Sequence, residues 1–112
     1  MARIETIRTA QFQSNKGIFG AGIVVLETAR AFGGDSQYYY VGDYRVDGDQ
    51  ISVNLTVIHY ANDIDSIFGP LQKFTVALKG ELNEREMNLK GQANQDDDLQ
   101  IQLIMRRVAE LP

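Results

Sequence analysis

Gly20-Ala-Gly-Ile-Val-Val-Leu-Glu-Thr-Ala-Arg-Ala-Phe-Gly33-Gly34-Asp35-Ser-Gln-Tyr-Tyr-Tyr40-Val-Gly42-Asp-Tyr44 is the stretch around which this chain is organised. Two runs rich in β-branched and aromatic residues, Ile23 to Leu26 and Tyr38 to Tyr44, flank a Gly33-Gly34-Asp35 corner, so the stretch reads as strand, turn, strand. Gly20, Gly22 and Gly42 stand where an ordinary strand carries a side chain, and glycines so placed mark bends or a close approach of neighbouring backbone. These residues point to an all-β architecture. Taken alone, they carry no chemistry.

Working outward, Arg3 to Gln13 alternates, with Ile4, Thr6, Arg8, Ala10 and Phe12 on one face. Ser14-Asn15-Lys16-Gly17 supplies turn residues before Ile18 to Leu26 resumes strand character, and Glu27 to Arg30 is a short polar connection. On the other side, Asp47-Gly48 predicts a type I′ hairpin, whose central residues need positive φ. Ile51, Val53, Leu55 and Val57 then share a face with His59, opposite Ser52, Asn54 and Thr56.

From Ala61 to Leu71 the period changes. Ile64, Ile67, Phe68 and Leu71 fall at helical spacing, Asn62 or Asp63 can cap the start, and Gly69-Pro70 stops it. One or two helical turns are expected there, lying across an opening of the sheet as a plug. Lys73 to Leu82 alternates again through Phe74, Val76 and Leu78, and Glu86 to Gln92 through Met87 and Leu89. The phrase Leu-Lys-Gly-x-x-Asn at Leu78–Asn83 returns at Leu89–Asn94, which reads as two successive strands with a similar glycine bend. Asn94 to Asp98 is a polar turn, and Leu99, Ile101, Leu103 and Met105 define a last strand that fades into Arg106 to Pro112. Seven or eight strands with short sequential connections favour an antiparallel meander. Such a sheet removes its edges by closing into a barrel, whose interior side chains fill or one small ligand occupies; a β-sandwich fits the same pattern.

At 112 residues the chain is expected to form one domain, and it contains no cysteine, so disulfides, thiolate metal sites and cysteine nucleophiles are excluded. The first residues lack the apolar run of a signal peptide, and no stretch is long and apolar enough for a spanning helix, so a soluble cytoplasmic protein is expected. A net charge of −4 and scattered basic residues, with Arg106-Arg107 the only adjacent pair, argue against nucleic acid.

Candidate chemistry is sparse. His59 is the only histidine and falls on the apolar parity of its strand, where a structural or rim role is expected. No serine of the four, Ser14, Ser36, Ser52 and Ser66, lies between glycines in a nucleophile elbow. Gly17-x-x-Gly20-x-Gly22 is followed by strand, not helix, and so reads as strand bends and not as a dinucleotide loop. Asp47, Asp49 and Asp96 to Asp98 lack the ligand spacing of a calcium loop and suit hairpin tips or a protein contact. Tyr38, Tyr40 and Tyr44 share one parity and Tyr39 with Val41 the other; whichever set faces outward is expected at a dimer contact.

The spacing Gly20-x-Gly22-Ile23-Val24-Val25, seven residues, Gly33-Gly34-Asp35, four residues, Tyr40-x-Gly42 resembles that of the GrlR-type negative regulators of type III secretion. The similarity continues as far as Tyr60 and loosely beyond it. The resemblance implies a closed eight-stranded antiparallel, lipocalin-like barrel with an apolar interior, a plug-like loop at one end and a dimeric assembly. It also implies restraint of a transcriptional activator through an exposed four-residue acidic turn, whose matching positions here are Val46, Asp47, Gly48 and Asp49. The expectation is a non-enzymatic regulator that uses no cofactor or metal, forms a homodimer and binds a protein partner through Asp47, Gly48 and Asp49. The alternative is a carrier or sensor of a small apolar ligand held among Val53, Leu55, Val57, Phe74 and Val76.

Overall fold

The computed structural model describes residues 5–15, 19–60, 73–94 and 96–112. They form eight strands: β1 Thr6–Ser14, β2 Phe19–Glu27, β3 Arg30–Gly34, β4 Tyr38–Asp47, β5 Gln50–His59, β6 Lys73–Glu81, β7 Glu86–Ala93 and β8 Asp96–Glu110. Each pairs antiparallel with its neighbour in sequence, and β1 pairs with β8, so the sheet closes into an eight-stranded barrel and not a sandwich. The expected plug over Ala61 to Leu71 lies outside the described residues.

Alternation along each strand sends one set of side chains inward. On β5 these are Ile51, Val53, Leu55 and Val57, on β6 Phe74, Val76 and Leu78, and on β8 Leu99, Ile101, Leu103 and Met105, all buried in one cluster with Tyr38 and Tyr40. Fully burying an aliphatic or aromatic side chain of this kind contributes about 1.5–3 kcal/mol, which makes this lining the main source of stability.

In the closed sheet neighbouring backbone comes very close at several glycines. A Cβ on Gly33 would lie 1.9 Å from the Ile23 carbonyl oxygen, and one on Gly42 would lie 1.8 Å from that of Asn54. Only glycine lets these strands approach so closely, and opposite them in register stand the bulky residues Tyr40 and Leu55.

The opening stretch holds three strands where two were expected. Gly33 and Gly34 belong to β3 itself, the corner is Asp35 to Gln37, and the polar connection is a second tight turn. In that turn Thr28 (φ 50°) and Ala29 (φ 65°) both occupy the left-handed region, the pattern of a type I′ turn. Neither is a residue that region favours. The Glu5 carboxylate braces the turn by accepting hydrogen bonds from the Thr28 N–H (2.7 Å) and hydroxyl (3.2 Å).

The hairpin predicted at Asp47-Gly48 forms one residue later. Asp47 pairs with Gln50, the centre is Gly48-Asp49, and of the two only Gly48 has positive φ (64°), which is type II′ character and not I′. The final strand also begins at Asp96, inside the expected polar turn, and runs on to Glu110 because β1 and β7 both supply partners.

Candidate functional site

The glycine and aspartate motif is a structural device. Asp35 Oδ1 accepts from the backbone N–H groups of Gln37 and Tyr38, both at 2.8 Å, forming the corner between β3 and β4. Its Oδ2 accepts a short hydrogen bond from the buried Tyr40 hydroxyl, and its backbone carbonyl accepts from the Tyr60 hydroxyl at 2.5 Å. Burial, and then the neighbouring Asp35 carboxylate, push the Tyr40 phenol well above its usual range. Gly20 pairs with Phe12, and a Cβ on Gly22 would press on the Gly34 carbonyl at 2.5 Å. The motif therefore fixes β2, β3 and β4 against one another.

Outward, the same strands present apolar surface. Register places Ile7, Val25, Phe32 and Val41 in one row across β1 to β4, and Ile23, Gly34, Tyr39 and Ile58 in the next across β2 to β5. Ile23, Tyr39, Val41 and Tyr60 are each at least 41% exposed, and the rings of Tyr39 and Tyr60 lie 6.3 Å apart. Contiguous exposed aliphatic and aromatic residues of this kind mark contact surfaces in soluble proteins. The outer faces of β7 and β8 contrast with them: there Gln100 bonds Gln92 and Gln102 bonds Asn88.

The outward column of β4 continues from Tyr39 and Val41 through Asp43 and Arg45 to Asp47, so the apolar rows and the acidic hairpin tip share one side of the barrel. Asp47, Gly48 and Asp49 are all exposed. A groove of about 290 Å3, lined by Asp43, Asn54, Thr56 and Thr75 together with apolar residues such as Val76 and Ala77, extends this side onto β6.

The proposed lumen residues are brought together. Leu55 pairs with Val76 and Val57 with Phe74, Val53 lies one register step along, and all five are buried in the core. His59 is half-buried with its ring 5.0 Å from that of Tyr38. Among the described residues no group of three or more His, Asp or Glu gathers in metal-binding range, and no helix is long and apolar enough to cross a membrane.

No protein-family model matches the chain, and no curated protein matches it. The site is therefore read from its own residues, two parts of which sequence reasoning missed. The apolar rows extend well beyond Tyr39 and Val41. Arg8 is fully buried in the lumen, where burial and then Arg107 lower its pKa from the ordinary value while Glu84 opposes them. Its signal was a charge on the apolar parity of β1.

Proposed function

We propose that the barrel is a non-enzymatic regulatory protein, of the kind its glycine and tyrosine spacing resembles, that acts by binding a protein partner and pairs with a second copy of itself. The observation that carries this reading is the joining of an apolar face on β2 to β5 with the exposed Asp47-Gly48-Asp49 tip on one side of the barrel. Aromatic and aliphatic groups supply contact area; the two carboxylates supply orientation and select a basic partner. The apolar rows suit the like-chain contact, since a net charge of −4 opposes pairing through charged surface. The partner contact falls at the tip, and a transcriptional regulator is the class that the resemblance supplies.

Sedimentation velocity over a concentration series tests the pairing. Wild type is expected to sediment as a dimer, Val41→Asp as a monomer, and the double charge reversal Asp47→Lys with Asp49→Lys as a dimer still. A wild type that stays monomeric at every concentration removes the like-chain contact from the proposal.

A second reading, a carrier of a small apolar molecule, is supported by the closure of eight strands around Val53, Leu55, Val57, Phe74 and Val76. Wild type would then take up a fluorescent apolar probe and Leu55→Phe would not. Absence of uptake by the folded wild type ends that reading.

A further inference from the structure

One end of the lumen holds a polar cluster that neither reading uses. Arg8 on β1 and Arg107 on β8 are direct partners in the ladder, and the register slips by one residue beside them, between Ile7 and Arg8, leaving Val108 as a bulge. Such bulges re-aim side chains. Arg8 is 0% exposed. Its Nε donates to Thr6 Oγ1 and its Nη2 to the Glu84 carbonyl, both at 2.8 Å, while Nη1 is buried and meets no acceptor among the described residues.

The surrounding charges do not account for this. The Glu84 and Glu110 carboxylates lie 3.7 Å and 3.0 Å from Arg107, and neither bonds Arg8. Like charges directly opposite in a ladder repel, and although the Glu84 carboxylate eases the charge on Arg8, a buried guanidinium with no carboxylate hydrogen-bonded to it carries a desolvation cost of several kcal/mol. Holding the β6–β7 turn requires only the bond to the Glu84 carbonyl. That turn is already fixed, because Asn83 Oδ1 accepts from the N–H groups of Arg85 (2.9 Å) and Glu86 (3.1 Å), and the Arg107 N–H bonds the Arg85 carbonyl (2.8 Å). The guanidinium is thus held by two bonds in a rigid frame with a donor to spare.

We propose that this end of the barrel is an oxyanion site, in which Arg8 Nη1, flanked by Thr6 and Arg107, donates to an oxygen of a carboxylate or phosphate lodged beneath the β6–β7 turn. Guanidinium donors suit both oxyanions through charge-assisted bonds. Met87 and Met105, paired across β7 and β8, are adaptable neighbours for an apolar tail if the carboxylate carries one.

The test follows the Arg8 guanidinium by NMR in arginine-labelled wild-type protein, its resonance assigned by its loss in Arg8→Lys. Phosphate, acetate and decanoate are titrated at constant ionic strength. A saturable shift of Arg8 not shared by the exposed Arg45, with a matching rise in Tm, is the expected result. Response to phosphate or acetate identifies a free small anion, and response to decanoate alone identifies a carboxylate with an apolar tail. Arg107→Met is expected to weaken the apparent affinity about tenfold, as loss of one charge-assisted contact does. No saturable shift with any of the three, or a drift equal to that of Arg45, shows a hydrated structural arginine and overturns the proposal. If Arg8→Lys fails to fold, the Arg8 resonance is assigned through its contact with Thr6 and the wild-type titration stands by itself.

Discussion

Replacing Asp35 by alanine is expected to damage this barrel more than any other single change at its surface corners. The carboxylate accepts two backbone hydrogen bonds at 2.8 Å, from Gln37 and Tyr38, and a third from the Tyr40 hydroxyl. Hydrogen bonds to a charged group contribute about 1.5–3 kcal/mol each, but the two backbone donors sit at a half-buried turn where water replaces part of the loss. The Tyr40 side chain is fully buried, so its hydroxyl is left without an acceptor at a cost of about 1–3 kcal/mol. Asp35→Ala should therefore lower the unfolding free energy by about 3–4 kcal/mol, Tyr40→Phe by about 1–2, and the double variant by less than the sum, with a coupling near 1.5 kcal/mol. Urea unfolding followed by circular dichroism measures all four species of the cycle. A loss below about 1 kcal/mol in Asp35→Ala, or a coupling near zero, would refute the reading of the motif as the brace of β3 and β4.

Other changes separate backbone approach from backbone strain. Gly33→Ala should cost more than about 2 kcal/mol, because its Cβ meets the Ile23 carbonyl oxygen at 1.9 Å, whereas Gly48→Ala, with open space but a φ of 64°, should cost only about 1 kcal/mol in the same urea assay. Ala29→Gly should stabilise by about 0.5–1 kcal/mol: relief of a left-handed alanine (φ 65°) outweighs the added freedom of the unfolded chain, and a rise in Tm of a few degrees reads it. Tyr40 adds an alkaline limit. Its phenol is held above the ordinary value by burial and by Asp35, so its contribution is complete below pH about 10 and declines as the pH rises from there towards the folded value. The urea midpoint of wild type is accordingly expected to fall more steeply above pH 10 than that of Tyr40→Phe.

Much of the barrel was legible because strand periodicity is a local signal. Ile51 to Val57 and Leu99 to Met105 alternate so cleanly that their burial follows from parity, and the tyrosines divide as their positions require, Tyr38 and Tyr40 inward and Tyr39 outward. The turns were less legible. Thr28-Ala29 carries no turn chemistry, and its conformation is imposed by the pairing of Glu27 with Arg30 and by the distant Glu5 carboxylate. In the same way, Gly33-Gly34 looked like a corner because glycine favours turns, yet here it serves close approach between strands. The apolar rows on the outer face were invisible to any single strand: Phe32, Val41 and Ile23 become neighbours only through register across β2, β3 and β4. Arg8 was missed for a different reason. A lone charge on an apolar parity is ordinarily at a strand end, and its burial depends on the lumen that closure creates.

Under the proposed function the acidic tip and the apolar face would divide the work of recognition in a way that mutation can separate. Val41 and Tyr39 stand at mid-strand on β4, and Asp47 stands at the tip of the same column, so a change at one end leaves the other's geometry in place. The measurement that tests the account most directly is native mass spectrometry of the protein purified gently from its own host, beside Val41→Asp and the Asp47→Lys, Asp49→Lys double variant. Wild type is expected as two chains of 12.6 kDa plus the mass of a second polypeptide, Val41→Asp as one chain still carrying that polypeptide, and the tip variant as a dimer stripped of it. A bare single chain for wild type and both variants would contradict the claim that this side of the barrel is a protein-contact surface.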